Sequence, residues 1–495
     1  MNLDGFVKKN LEVLLSQKFR QSLKLIEKKS NSKCFLVGGS IRDLAICFFD
    51  SKFQVSKEQK DFDFILDSSE PIDFCQKLSE DLEAKLIILD EKNKIYRILY
   101  QEQQFDFTKL AGNSLKEDLR RRDFSINALA FDWQENKIID FTNSLNDLKA
   151  KKIRSIKEKN LKEDPLRILR AYRFRAELDF KIESETHQQI INNQNLIKQQ
   201  KVSQERISSE FFKILDTRNS FSTLWQMFED QALFLIIPEL KAQTKIPPND
   251  FHHLRLIEHT LELVKQQETK ARSKFPVKYL DYIDRSKISY LKLGSLIKLG
   301  CLLHDICKPE TWEFIRSENK HTFYNHDLLG AQKTFQISKR LCLPKSAIEF
   351  VSLLVKFHLR PFSIAKLGQE PSLRAQRRIF LAFREYYFPS LVLLCWADLF
   401  SIRGPKVTSE TIKLSEERLL NLLKKYELFL EEERQEPLLL KGQELKEAIE
   451  KSKIKPSKEI KKLLDELREL QIEKKIKTKK EAFLWFVQEA SSLQK

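Results

Sequence analysis

The sequence predicts an α+β protein, a mixed head over residues 1–150 followed by helical segments to residue 495. Three observations predict it. Strand-like apolar runs (CFLV, DFDFIL, KLIIL, IYRILY, FDFT and IIDF) all fall between residue 33 and about residue 150, with helical stretches between them. From about residue 151 the helical period takes over, punctuated by breakers such as Pro238 and Ile246-Pro247-Pro248-Asn249. Glycine is scarce (10 residues) and proline modest (14), a composition that disfavours a β-rich or low-complexity chain.

A chain of 495 residues exceeds what one core supports and implies roughly two to four domains. The net charge of +17 points to a polyanionic partner, nucleic acid first and an anionic membrane surface second. An A/T-rich genome could supply part of that charge without function. The seven cysteines are odd in number and lie in apolar runs, which reads as reduced core residues of a cytoplasmic protein. The N-terminus MNLDGFVKKN has no apolar signal core, and the apolar run from Leu391 to Trp396 is closed by Asp398, so neither export nor a membrane span is expected.

The first chemistry-bearing element is FLVGGSIRD (35–43). Phe35, Leu36 and Val37 read as the end of a buried strand, Gly38-Gly39 as a tight turn, and Ser40 as the cap of a helix beginning at Ile41. Strand, glycine turn and helix N-terminus together form an anion cradle; the same residues would also serve an ordinary strand-to-helix turn.

DFDFIL follows. Residues two apart in a strand project the same way, so Asp61 and Asp63 present carboxylates from one face, roughly 7 Å apart at the backbone. That arrangement suits Mg²⁺, which takes one or two carboxylates together with substrate phosphates. Asp106, in FDFT, offers a third carboxylate suited to two-metal phosphoryl chemistry. A solvent-facing strand of idle acids is the competing reading.

GGSIRD, DFDF and EDLRRRDFSINALAFD (117–132), in that order, resemble the class II tRNA nucleotidyltransferase and bacterial poly(A) polymerase family, a branch of the polymerase β superfamily. The match to its GGxxRD, DxD and RRDFTxNA signatures is close, with Ser125 in place of the usual Thr. The resemblance implies a polymerase β-like nucleotidyltransferase head. In it Gly38, Gly39 and Arg42 hold the triphosphate, Asp61 and Asp63 hold Mg²⁺, and Arg121, Arg122, Asp123 and Asn127 complete the nucleotide pocket. Guanidinium groups neutralise a triphosphate through paired hydrogen bonds. Asp123 and Asn127 could alternatively be loop staples.

KEDPLRILRAYRFRAEL (162–178) reads locally as a capped helix start, with Pro165 in the first turn and Arg167 near Asp164. The resemblance makes it the EDxxR motif, a protein template for the incoming base. Cytosine and adenine each present an exocyclic amine beside a ring acceptor. Uracil and guanine present a carbonyl beside an N–H. Asp164 and Arg167, supported by Glu163, would therefore accept C and A and reject U and G. VSQERISSEFFKIL (202–215) resembles the ERxxxE helix, in which Glu205 and Arg206 brace the neck.

All but one of the eight histidines lie from residue 252 onward. His259, His304-Asp305, His326, His358 and Asp398 follow an order that resembles the HD phosphohydrolase pattern, which implies a site for a divalent cation, a transition metal by its imidazole and carboxylate ligands. Relatives with this appendage suggest phosphatase or cyclic phosphodiesterase activity, though some such modules are scaffolds. PLLLKGQEL (437–445) and EAFLWF (481–486) resemble the end of HD-bearing members.

The expected organisation is a nucleotidyltransferase head (1–150), an all-helical neck carrying the base template (151–235), an HD-type helical body (236–405) and a helical tail (406–495). The expected partners are tRNA, CTP and ATP, with no membrane. One departure bears on the product: only KLAGNSLKEDLR (109–120) separates FDFT from RRDF, shorter than the flexible segment of many CCA-adding members. CC-only or A-only addition therefore stays open beside complete CCA synthesis. Poly(A) synthesis, an HD phosphohydrolase with an RNA-recruiting head, and a noncatalytic RNA-binding protein are the further alternatives.

Overall fold

Alternating Asp and Phe in DFDF and FDF can be satisfied only by a strand with one wet and one packed face, and that strand pair organises the head. The computed structural model describes residues 2–55, 59–199, 202–318, 320–362, 373–383, 387–435, 439–440, 444, 466–468, 470–471 and 475–492. It divides into two compact units, Met1–Lys241 with Arg340–Cys342, and Ala242–Lys339 with Leu343–Lys495.

The first unit holds strands β1 (Lys33–Val37), β2 (Asp61–Asp67), β3 (Lys85–Asp90), β4 (Ile95–Tyr100), β5 (Gln103–Lys109), β6 (Leu129–Asp132) and β7 (Lys137–Asp140) in one seven-stranded sheet of order β3-β4-β5-β2-β1-β6-β7. β2 and β5 run parallel with Asp63 opposite Asp106, while β4 and β5 run antiparallel with Arg97 opposite Asp106. On the packed face Phe62 stacks on Phe105 at 5.6 Å and Phe64 on Phe107 at 5.0 Å. Phe19, from the Gln17–Ser30 helix, stacks on Phe105 at 4.0 Å and closes that face. Each such ring pair contributes about 0.5–1.5 kcal/mol beyond its buried area. The aromatic residues thus fix which face the acids must take.

The strands expected from CFLV, DFDFIL, KLIIL, IYRILY, FDFT and IIDF all form, within one or two residues at their ends. Beyond residue 151 the unit is helical apart from the two-residue pair Lys152–Ile153 and Lys181–Ile182; its Leu166–Leu178 helix packs against Gln204–Leu215.

The second unit is built on the helices Leu256–Glu268, Leu293–Leu303, His326–Arg340, Lys345–Phe357 and Phe388–Ser401. A Cβ at Gly300 would lie 2.9 Å from Leu354 and 3.3 Å from Leu394, so glycine is what lets three of these helices approach. Towards the C-terminus are the Ser409–Gln435 and Lys479–Ser492 helices. Leu440, Leu467, Ile476, Ala482 and Phe486 make a small core there. Of PLLLKGQEL only Leu439, Leu440 and Glu444 lie within the described residues. EAFLWF forms part of the last helix.

All seven cysteines are free, as expected; Cys342, however, is exposed and Cys47 half-buried, so not every cysteine is a core residue. Among the described residues no helix is long and apolar enough to cross a membrane.

Candidate functional site

The glycine turn departs from its expected local chemistry in one respect. The helix begins at Gly39, two residues earlier than Ile41, and its N-cap is Gly38 with φ +80° and no side-chain cap. Ser40 does not cap; its hydroxyl donates to the Asp61 carbonyl at 3.3 Å. Only glycine fits position 38, because a Cβ there would strain the positive φ and meet Asp63 Oδ2 at 3.0 Å. The backbone of the turn therefore lies directly against one of the two expected cation ligands.

Asp61 and Asp63 both face solvent from β2, and neither side chain has a hydrogen-bond partner among the described residues. Neighbouring protein atoms displace water from Asp63, and this desolvation, followed by the charge of Asp106, raises its carboxyl above the ordinary value. A divalent cation relieves that cost. Both carboxylates border a cavity of about 600 Å³, shared with Gly39, Arg42 and Glu177. Asp106 differs: both its oxygens are taken by Arg97, Nε at 2.7 Å and Nη2 at 2.8 Å.

The RRDF cluster is wired to the turn by a chain of bonds. Arg42 Nη1 donates to Asn127 Oδ1 at 2.9 Å, Asn127 Nδ2 donates to Asp123 Oδ1 at 3.0 Å, and Arg170 Nε donates to Asp123 Oδ2 at 2.7 Å. Asp123 is 5% exposed. Burial opposes its ionisation, but Arg170 and Asn127 outweigh burial and hold its carboxyl below the ordinary value. Arg42 also lies over the Phe174 ring at 5.3 Å. Arg122 donates to the Asn127 carbonyl at 3.3 Å and approaches Asp118, whereas Arg121 is exposed and paired with Asp118 at 3.2 Å.

The expected template pair is not a side-chain pair here. Arg167 Nη1 donates to the carbonyls of Arg121 at 2.9 Å and Asn160 at 3.2 Å. Asp164 Oδ2 instead accepts from Arg206 at 2.9 Å, and its Oδ1 from the Leu166 N–H at 3.3 Å. The helix itself starts at Leu166, so Pro165 precedes its first turn rather than occupying it. Glu163 is exposed and pairs with Lys159 at 3.5 Å. The 109–120 segment carries a Leu115–Arg120 helix and is stapled by fully buried Asp118, which accepts from the Ala111 N–H at 2.9 Å.

In the second unit the six expected residues converge. Asp305 is fully buried and central: His304 Nε2 lies 3.0 Å away, His326 Nε2 3.3 Å, His358 Nε2 3.6 Å and His259 Nε2 3.9 Å. Asp398 lies 3.4 Å from His259 Nε2. His304, His326 and His358 each bind the carbonyl three residues earlier through Nδ1, at 2.8, 2.6 and 2.6 Å. Fixing Nδ1 this way leaves Nε2 to face the centre, the orientation a metal-binding imidazole needs. His259 Nε2, His304 Nε2 and both Asp305 oxygens are buried and within ion-pair distance of their neighbours, yet none of these atoms makes a well-aligned hydrogen bond. Such orphaned atoms fit a cation. Two three-residue groups emerge, His259-His304-Asp398 and Asp305-His326-His358, each with ligand atoms within 4.8 Å of one another. Burial opposes the charge on Asp305, yet His304 and Lys308 hold its carboxyl well below the ordinary range.

Sequence reasoning missed Arg97, Arg170, Glu177 and Lys308. Arg97 was findable, as the one charged residue in IYRILY, and so was Lys308, three residues after Asp305 in HDICK, while Arg170 and Glu177 depend on tertiary approach.

Three families match successive parts of the chain: the Poly A polymerase head domain over residues 34–154, the "Probable RNA and SrmB- binding site of polymerase A" over 179–244, and the HD domain over 287–400. The A-adding tRNA nucleotidyltransferase of Deinococcus radiodurans is 30% identical over 83% of this chain and 85% of its own length. The CC-adding tRNA nucleotidyltransferase of Thermus thermophilus is 27% identical over 90% of this chain and 92% of its own. In fold, the chain is similar to the Thermotoga maritima CCA-adding enzyme complexed with tRNA, with a TM-score of 0.56, 19% identity and 98% of each chain covered. The chain belongs to the tRNA nucleotidyltransferase and bacterial poly(A) polymerase family, in its HD-domain-bearing branch.

Proposed function

We propose that the chain is a tRNA 3′-end nucleotidyltransferase of the cytoplasm that adds C, A or both from CTP and ATP and releases pyrophosphate. The observation that carries this reading is the contact of the Gly38 turn with Asp63, which sets an anion cradle against two unclaimed carboxylates. Asp61 and Asp63 would hold Mg²⁺, which when bound screens the triphosphate and acidifies the attacking 3′-hydroxyl. Gly38, Gly39 and Arg42 bind the triphosphate. Asn127 and Asp123, locked by Arg170, aim the Arg42 guanidinium, and Arg121 and Arg122 add positive charge beside it. Asp106, clamped by Arg97, orients the attacking end. Positioning and charge stabilisation supply most of the rate.

Asp164 and Arg167 read the base, with Glu163 at the end of the preceding helix. For this Arg167 exchanges its bonds to backbone carbonyls for the ring acceptor. The four-part organisation, with boundaries near residues 150, 235 and 405, assigns the head to chemistry, the neck to base reading, the body to the second centre and the helical tail to tRNA. A specialist that adds only CC or only A is favoured by the short 109–120 segment, which Asp118 staples in place. Relatives of both specialist kinds match most of the chain.

The second centre is read as a divalent-metal phosphohydrolase site, on the strength of its orphaned imidazole nitrogens. A transition metal suits the ligands His259, His304, Asp305, His326, His358 and Asp398. The test of the main reading is to incubate tRNA lacking CCA, and tRNA already ending in CC, with CTP, ATP or both and sequence the 3′ ends. Extension by C or A supports it; unextended ends with every nucleotide overturn it.

A further inference from the structure

Between Lys308 and His326 the chain makes a two-stranded hairpin, Trp312–Ile315 paired with Lys320–Phe323. In the antiparallel register Trp312 stands opposite Phe323 and Phe314 opposite His321, so these four rings share one face. The ring geometry agrees. Trp312 and His321 stack at 5.8 Å with planes 25° apart, and Phe314 lies 4.8 Å from His321. Trp312 Nε1 donates to His321 Nδ1 at 2.8 Å, which ties off the indole N–H. What remains outward is aromatic surface: Trp312 is 39% and Phe314 45% exposed. Two large aromatic side chains exposed on one face of a hairpin, packed against a third ring, present a flat apolar surface on which a planar ligand can lie.

The strip leads to the second centre. Phe323 lies under Lys308 Nζ at 5.4 Å, and Lys308 Nζ is 2.6 Å from Asp305 Oδ2. The Phe323 carbonyl also fixes His326 through Nδ1 at 2.6 Å. A ligand lying along the rings therefore arrives at a cation and a phosphoester-type centre. We infer that the Trp312-Phe314-His321 face is a base-stacking platform that delivers a single-stranded RNA end, with its terminal phosphate, to this centre. Stacked bases on successive rings beside positive charge are how single strands are held without sequence preference. The chain's net charge of +17 favours the same occupant over an acidic-poor protein surface. The inference rests on the phosphohydrolase reading of the centre and supplies its substrate class.

The test is equilibrium anisotropy of a labelled, 3′-phosphorylated RNA tetranucleotide on the full chain, beside the same ribose-phosphate backbone without bases. Trp312→Ala and Phe314→Ala should each weaken the RNA by about tenfold. Trp312→Tyr should stay within about threefold of wild type, and the abasic strand should bind wild type and Trp312→Ala alike. Nucleotide addition and the thermal midpoint should not change. Unchanged RNA affinity in Trp312→Ala overturns the platform and leaves the strip to a protein partner. An equal loss for the abasic strand overturns stacking as well. Metal analysis of the wild-type protein separates the two readings: if the second centre holds no metal while Trp312→Ala still loses RNA, the centre's reading fails and the platform stands.

Discussion

Arg206 Nη2 lies 2.9 Å from Asp164 Oδ2, while Arg167, the expected partner of Asp164, bonds instead to the carbonyls of Arg121 and Asn160. The carboxylate proposed to read the exocyclic amine is thus held by a helix that sequence reasoning assigned to bracing alone. Arg206→Ala should lower discrimination against UTP and GTP by about tenfold, the scale of one good base contact. Both partners are partly exposed, so stability should move by less than about 1 kcal/mol. The measurement is the ratio of kcat/KM among the four nucleotides on a fixed tRNA primer. An unchanged ratio would make the ion pair a surface contact only.

Arg97 should act through Asp106, since both oxygens of that carboxylate are committed to it. Arg97→Ala leaves Asp106 beside Asp63 without its clamp. We expect kcat to fall about tenfold or more with little change in KM for CTP or ATP, because Arg97 is outside the triphosphate cradle, and partial rescue by Arg97→Lys. A rise in KM at constant kcat would instead place Arg97 on the nucleotide.

Glu27 is 1% exposed, accepts from the Cys34 N–H at 2.7 Å, and is pushed from 4.5 up to about 7 by burial. An acid whose pKa is raised on folding binds its proton more tightly in the native state. Stability is therefore lost as pH rises from 4.5 to 7, and the loss is complete above 7, at about 3 kcal/mol. Glu27→Gln keeps the acceptor and removes the charge. It should be neutral at pH 4.5 and stabilising at pH 8 in paired denaturation curves; parallel curves for the two proteins across this range would refute the assignment.

The second centre should be separable from nucleotide addition. His304→Ala with Asp305→Ala should abolish bound metal and any phosphohydrolase activity. Addition of C or A should continue in the folded variant. Loss of both activities without unfolding would mean that the two sites are one machine.

What was legible in the sequence follows from local rules. β2 and β5 could be placed because alternating Asp and Phe admit only one facing, whereas the histidine centre, spread from residue 259 to residue 398, was legible only through the order of its residues, which resembles the HD pattern. β6 went unread because LAFD lies in a run taken as a motif and is buried almost throughout, which erases the period of two. The cap at Ser40 failed because a positive φ at Gly38 moves the helix start, a backbone property that side-chain preference does not encode. The Asp164-Arg206 pair joins residues 42 positions apart and depends on helix packing.

The central claim is that Asp61 and Asp63 carry the chemistry, and its most direct measurement is nucleotide addition by Asp61→Asn and Asp63→Asn alongside tRNA binding by the same proteins. Each substitution should cut C or A addition by several orders of magnitude while tRNA affinity stays within about threefold of wild type, since backbone contacts to RNA come from basic groups elsewhere. Addition within a few-fold of wild type in either folded variant would contradict it.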